Sequence, residues 1–111
     1  MSETRTEHDL LGTRELPATN RQGIHTLRAM ENFPLLGQPC HPELLRAFGA
    51  VKLAALRTNF ALGFIPDATK VEAMAHACRE LMDGGLLSDL PVDALQGGAG
   101  TSTNMSVNEV L

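Results

Sequence analysis

Two runs of helical periodicity stand almost back to back in this 111-residue chain, and they limit the fold more than any other feature. From Pro42 onward, Leu45, Phe48, Val51/Lys52, Ala55/Leu56 and Asn59/Phe60 recur at three- and four-residue steps, the spacing of one helix face. Pro42 suits a first helical turn, where its missing N–H costs nothing. Gly63 suits the position just past a last turn. These signals predict a helix over about 42–62. Pro66-Asp67 starts a second, with a carboxylate near the positive end of its dipole. Ala68, Val71, Ala75, Cys78 and Met82 form its apolar stripe, with Met74 and Leu81 alongside, and Asp83-Gly84-Gly85 ends it, which predicts about 67–83. So short a link makes the two an antiparallel helical hairpin. Gly49 costs the first helix about 1 kcal/mol relative to Ala and would allow another helix to approach closely.

The fold class is therefore mainly α, and composition agrees. With four Phe and neither Trp nor Tyr, the core must rest on Leu, Ala, Val and Met, which pack well between helices. Before the hairpin, residues 1–23 read as an extended arm with a short strand near Arg5–His8, pinned by Leu10-Leu11-Gly12 and Leu16-Pro17-Ala18. Thr26 is the expected N-cap of a two-turn helix bearing Leu27 and Met30. Pro34 stops that helix at Phe33. After the hairpin, Leu86–Leu95 is a short apolar connection, extended after Pro91. A final helix is expected to begin at Asn104-Met105, with Met105, Val107/Asn108 and Val110/Leu111 starting its stripe.

Charge and cysteine usage narrow the classes of function. A net charge of −4 with scattered Lys and Arg lacks the basic footprint of a nucleic-acid binder. No apolar run reaches spanning length and no signal region opens the chain, so a membrane partner is not expected and the cytoplasm is the expected compartment. Lys52 and Arg57 read as the solvated face of the first long helix. Cys40 and Cys78 read as free thiols. His41 and His76 beside them do not make a zinc spacing, so neither a metal nor another cofactor is expected.

Gln96-Gly97-Gly98-Ala99-Gly100-Thr101-Ser102-Thr103-Asn104-Met105 is the stretch with chemistry in it. Glycines let backbone N–H groups approach closely and take positive φ. A helix start beyond them adds unpaired donors and a positive dipole end, together a nest for a carboxylate or phosphate. An ordinary glycine-rich loop is the competing reading.

Several blocks in order resemble the N-terminal part of the aspartate ammonia-lyase (aspartase) and class II fumarase superfamily. They are Asp9–Ala18, Gly23–Phe33, Ala50-Val51-Lys52 with Asn59, Ile65-Pro66, and Gln96–Met105 with Asn108-Glu109-Val110. The resemblance runs from about Arg5 to Leu111. Gly23-Ile24-His25-Thr26-Leu27-Arg28 and Gly97-Gly98-Ala99-Gly100-Thr101-Ser102 favour the aspartase branch over fumarase. Departures are Arg21-Gln22 where aromatics are usual, Leu53 in place of a second Lys, Ser106 in place of Asn and Leu90 in place of Phe.

The resemblance implies a partial N-terminal lyase domain over 1–111: arm and short helix in 1–33, helical hairpin in 42–83, ligand loop and start of a helix in 96–111. It implies a carbon–nitrogen lyase that eliminates ammonia from L-aspartate to give fumarate through an aci-carboxylate. Thr101 would donate its hydroxyl to a substrate carboxylate, with Asn104, Ser102 and the Ala99-Gly100 backbone in the same pocket. Arg28 is a cationic candidate for orienting substrate, with a surface or subunit-interface ion pair as the alternative, and His25 is expected to be structural rather than a proton shuttle. The family's catalytic base is a Ser in a later segment, so no catalytic residue is expected in this chain, which alone should be inactive. The family is homotetrameric, with sites drawn from three subunits. Two other readings stand beside this one: a fragment of a fumarase or other superfamily lyase, and a free-standing non-catalytic helical interaction module.

Overall fold

A computed structural model describes residues 3–111. The chain divides into two compact units, one formed by residues up to Cys40 with Asp89–Val110, the other by His41–Ser88 with Leu111.

The second unit holds the helical hairpin. Helix α2 (Pro42–Ala61) and α3 (Ala68–Met82) lie within a residue of their expected bounds because each end carries its own local signal. His41 caps α2, its Nδ1 accepting from Glu43 N–H at 3.2 Å, with Pro42 next. Asp67 caps α3, its carboxylate accepting from Lys70 N–H at 3.0 Å. Both helices stop on a glycine at positive φ (Gly63 at +80°, Gly84 at +90°). Phe64 N–H reaches back to Asn59 C=O and Gly85 N–H to Glu80 C=O, a wrap that satisfies otherwise orphaned carbonyls.

The packed face of α2 differs from the expected stripe, while that of α3 follows it closely. On α2 the buried residues are Leu45, Gly49, Leu53 and Leu56, while Val51 and Phe60 are exposed. On α3 they are Val71, Ala75, Cys78 and Leu81, and Met82 is partly exposed. The reason on α2 is Gly49. A Cβ there would stand 2.9 Å from the Cys78 carbonyl oxygen and 3.0 Å from Met82 Cγ. The line of closest approach passes through this glycine and rotates the contact face of α2 toward Leu53. Burial raises the Cys78 thiol pKa above its ordinary value.

In the first unit the expected arm is extended but doubled back on itself. Strands β1 (Thr4–Asp9) and β2 (Gly12–Pro17) pair antiparallel, with Thr4 opposite Pro17 and Asp9 opposite Gly12. Leu10 and Leu11 are the turn, fully exposed and 79% exposed, so they anchor nothing. Neither takes positive φ; Gly12 does, at +117°, and the Asp9 carboxylate accepts from Leu11 N–H at 2.8 Å. Leu16 is the buried residue of the two strands. Arg5 ties down the following loop, donating to the carbonyls of Asn20 and Gln22 at 2.6 Å each.

Helix α1 (Ile24–Asn32) and helix α4 (Thr101–Val110) complete this unit. Helix α1 starts three residues earlier than Thr26 would allow as a cap; Gly23 holds the cap position without a side chain to offer. Helix α4 starts at Thr101, so Thr101, Ser102 and Thr103 form its first turn rather than the loop before it. The intervening connection packs Leu90 and Val92 into the interior and passes through a single 3-10 turn at Leu87–Asp89. Asp93 bridges to Pro39.

Candidate functional site

The glycine-rich loop is shaped by two residues at positive φ, Gly98 (+77°) and Gly100 (+81°), conformations that cost other residues strain. Beyond it, α4 presents its first turn. The N–H groups of the first helical residues have no partner within their own helix. Thr103 N–H is taken by Gln96 Oε1 at 3.0 Å. The same amide turns its nitrogen to the Thr103 hydroxyl at 2.7 Å and to the Asp93 carbonyl at 2.8 Å. Cys40 Sγ completes the cluster, 3.4 Å from the Thr103 hydroxyl. Gln96 thus ties the near end of the loop to the helix at its far end.

Thr101 and Ser102 line a cleft of about 670 Å³, together with His8, Asp9, Leu10, Leu11, His25, Arg28, Met105 and neighbours on α1. Thr101 is exposed and Ser102 half-buried. The structure therefore brings together three of the residues expected at the site: Thr101, Ser102 and Arg28. Ala99, Gly100 and Asn104 belong to the same turn but are not among the lining residues; Asn104 N–H closes on Gly100 C=O at 3.1 Å.

Arg28 faces the cleft already paired. Its Nε and Nη2 donate to the two Asp9 carboxylate oxygens at 2.7 and 2.9 Å, and both side chains are largely buried. The Arg28 hydrogen bonds hold the Asp9 carboxyl below the usual carboxylate range, against the opposing effect of burial, and Asp9 raises Arg28 in turn. The pair fixes the hairpin turn to α1.

Three other carboxylates carry roles that no local pattern announces. Glu109, on α4, accepts from the backbone N–H groups of Gly23, His25 and Thr26 at 3.0, 2.7 and 3.0 Å, and from the Thr26 hydroxyl at 2.6 Å. Glu7 takes the remaining first-turn donor, Ile24 N–H, at 2.8 Å. A Cβ on Gly23 would lie 2.7 Å from Glu109 Oε1, so the cap needs glycine there. Thr26, expected to cap the helix, is instead fully buried, with its hydroxyl between Glu109 and Ser106. Asp93 gathers N–H donors from Leu35, Leu36, Gly37 and Leu95 at 2.8–3.2 Å. Burial pushes its pKa up, but these donors outweigh it and leave the carboxyl below the ordinary value. A Glu eight residues past Thr101 and an Asp three residues before Gln96 are too generic in spacing to be found without the fold.

The chain matches the family model described as "Lyase" over residues 12–111. It is 47% identical over its whole length to the aspartate ammonia-lyase of Pseudomonas aeruginosa, and 48% identical over 96% of its length to that of Escherichia coli. It covers 24% and 23% of those two enzymes, so it spans about a quarter of the length of the curated relatives it matches. Among solved structures, a fumarate lyase:delta crystallin from Brucella melitensis in native form is similar, with a TM-score of 0.93 and 45% identity, covering 97% of this chain and 25% of that one. A class II fumarase from Schistosoma mansoni follows with a TM-score of 0.89 and 33% identity, covering 97% and 23%. The chain belongs to the aspartase/fumarase superfamily of lyases, and its mainly helical fold is that of the superfamily's N-terminal domain. Its curated relatives above are aspartate ammonia-lyases, carbon–nitrogen lyases.

Proposed function

We propose that this chain is the carboxylate-binding N-terminal part of a cytoplasmic, homotetrameric aspartate ammonia-lyase that converts L-aspartate to fumarate and ammonia. The observation that carries the reading is the start of α4. Thr101 and Ser102 line a cleft at a helix N-terminus, where backbone N–H groups and the helix dipole favour a carboxylate.

In the proposed reaction a base removes the Cβ proton of aspartate, and the adjacent carboxylate takes up the charge as an aci-carboxylate. Donors fixed where that charge grows stabilise the transition state more than the bound substrate, which is what accelerates the step. Thr101 O–H donates to this carboxylate; Ser102 lines the same cleft, and the Ala99-Gly100 backbone and Asn104 shape the turn that carries them. Arg28 shapes the cleft wall, its charge matched by Asp9, rather than acting as an unpaired cation. The base is assigned to the part of the lyase outside the quarter spanned here, so the 111-residue chain is expected to bind dicarboxylate without turnover.

Assaying the full-length lyase with aspartate and with malate, each followed by fumarate absorbance, tests the substrate assignment. Turnover of aspartate alone is expected; turnover of malate alone would move the chain to the fumarase branch. The same assay on the 111-residue chain should be flat, and steady fumarate formation by it would overturn the division of labour.

A further inference from the structure

We propose that Gln96 is a positioning residue of the carboxylate site, one that decides which donors of α4 a ligand meets; this rests on the reading of Thr101 and Ser102 as that site. Three donors leave the first turn of α4, from Thr101, Ser102 and Thr103. Gln96 Oε1 consumes the third at 3.0 Å. Its nitrogen is committed as well, to the Thr103 hydroxyl and the Asp93 carbonyl at 2.7 and 2.8 Å. What remains is two backbone N–H groups and two hydroxyls, a set that matches the two oxygens of one carboxylate.

The clamp also answers a problem of order. Between Gln96 and Thr101 stand three glycines and one alanine, two of them at positive φ, and such a segment loses much conformational freedom when it is fixed. Gln96 joins its two ends through the protein's own groups, so that freedom is lost on folding rather than on binding. A Gln fits the position where a Glu would not. Its nitrogen must donate to a backbone carbonyl, and an ionised carboxylate there would repel the incoming anion.

Titrating the 111-residue chain with fumarate and following backbone amide resonances tests this. In the wild type, the Thr101 and Ser102 signals should move and Thr103 should not. In Gln96→Leu, Thr103 should join the moving set and the dissociation constant should rise about tenfold. Gln96→Glu keeps an acceptor for Thr103 N–H, so Thr103 should again stay still, while the added charge leaves fumarate at least about tenfold weaker. A role limited to folding would lower melting temperature without changing which amides respond. Gly23–Thr26 resonances report whether each variant is folded, and Gln96→Glu retains the test if Gln96→Leu does not fold. A wild-type Thr103 that moves with Thr101, or a Gln96→Leu variant that binds like wild type, would overturn the positioning role and leave the site standing. If neither Thr101 nor Ser102 moves, the site and the role of Gln96 fall together.

Discussion

Helices α1 and α4 each begin with first-turn donors that their own hydrogen bonding cannot use, and the chain treats them in opposite ways. At α1, Glu109 and Glu7 occupy the N–H groups of Gly23, Ile24, His25 and Thr26. At α4, one side-chain amide takes Thr103 N–H, and Thr101 and Ser102 face a cleft. The difference lies in the cap. A carboxylate cancels the positive end of a helix, whereas a neutral amide satisfies a donor and leaves the field in place. The first arrangement makes a joint; the second leaves room for the carboxylate proposed at Thr101 and Ser102.

The strongest challenge to this contrast is Thr101→Val in the full-length lyase. Losing one fixed donor to the developing charge should lower kcat/KM by roughly 10²–10³ with little change in melting temperature. An unaffected rate would remove α4 from the chemistry. Glu109→Ala is the mirror experiment. It strips several charge-assisted hydrogen bonds from α1 and should cost on the order of 3 kcal/mol in urea unfolding, with no bound ligand involved. Gly23→Ala should cost about 1–3 kcal/mol by driving a methyl into the same carboxylate.

A smaller effect is expected from pH. The folded pKa of Asp9 lies below its unfolded value, which is about 3.9. Its contribution to stability is therefore complete above that value and is lost as pH falls through the folded pKa. Asp9→Asn should be less stable near neutrality and show a flatter acid profile; identical acid profiles for the two proteins would contradict the pairing with Arg28. The gentlest probe is fumarate itself: its amide shifts should appear at Thr101 and Ser102 and be absent from Gly23–Thr26. Equal shifts at both helix starts would erase the distinction.

What could be read in the sequence follows the range of the interactions. Helices α2 and α3 were legible to within a residue because Pro42, Gly63, Asp67 and Gly84 act on their own neighbours. The start of α1 was not, because its cap comes from Glu109, more than eighty residues away. The hairpin escaped notice because Leu10-Leu11 carries no turn chemistry of its own; the positive φ that a tight reversal needs falls on Gly12. At the cleft, family-like blocks pointed to Thr101 and Ser102, which line it, and Arg28 was expected either to orient substrate or to form an ion pair, without Asp9 being named as the partner. Asp93 and Glu109 gained their parts only when the fold brought distant backbone to them, and Gln96 when its loop turned back onto the start of α4. The exposed Val51 and Phe60 show a further limit: periodicity locates a helix face only until a glycine shifts the line of contact.

The Glu109 cap also has a consequence in time. Synthesis proceeds from the N-terminus at about 5–20 residues per second, so the hairpin and α1 leave the ribosome several seconds before the carboxylate that closes their first turn. During that interval Glu7 is the one of the two capping carboxylates already present for the Gly23–Thr26 amides. Completion of the cap is a late event, triggered by the arrival of α4.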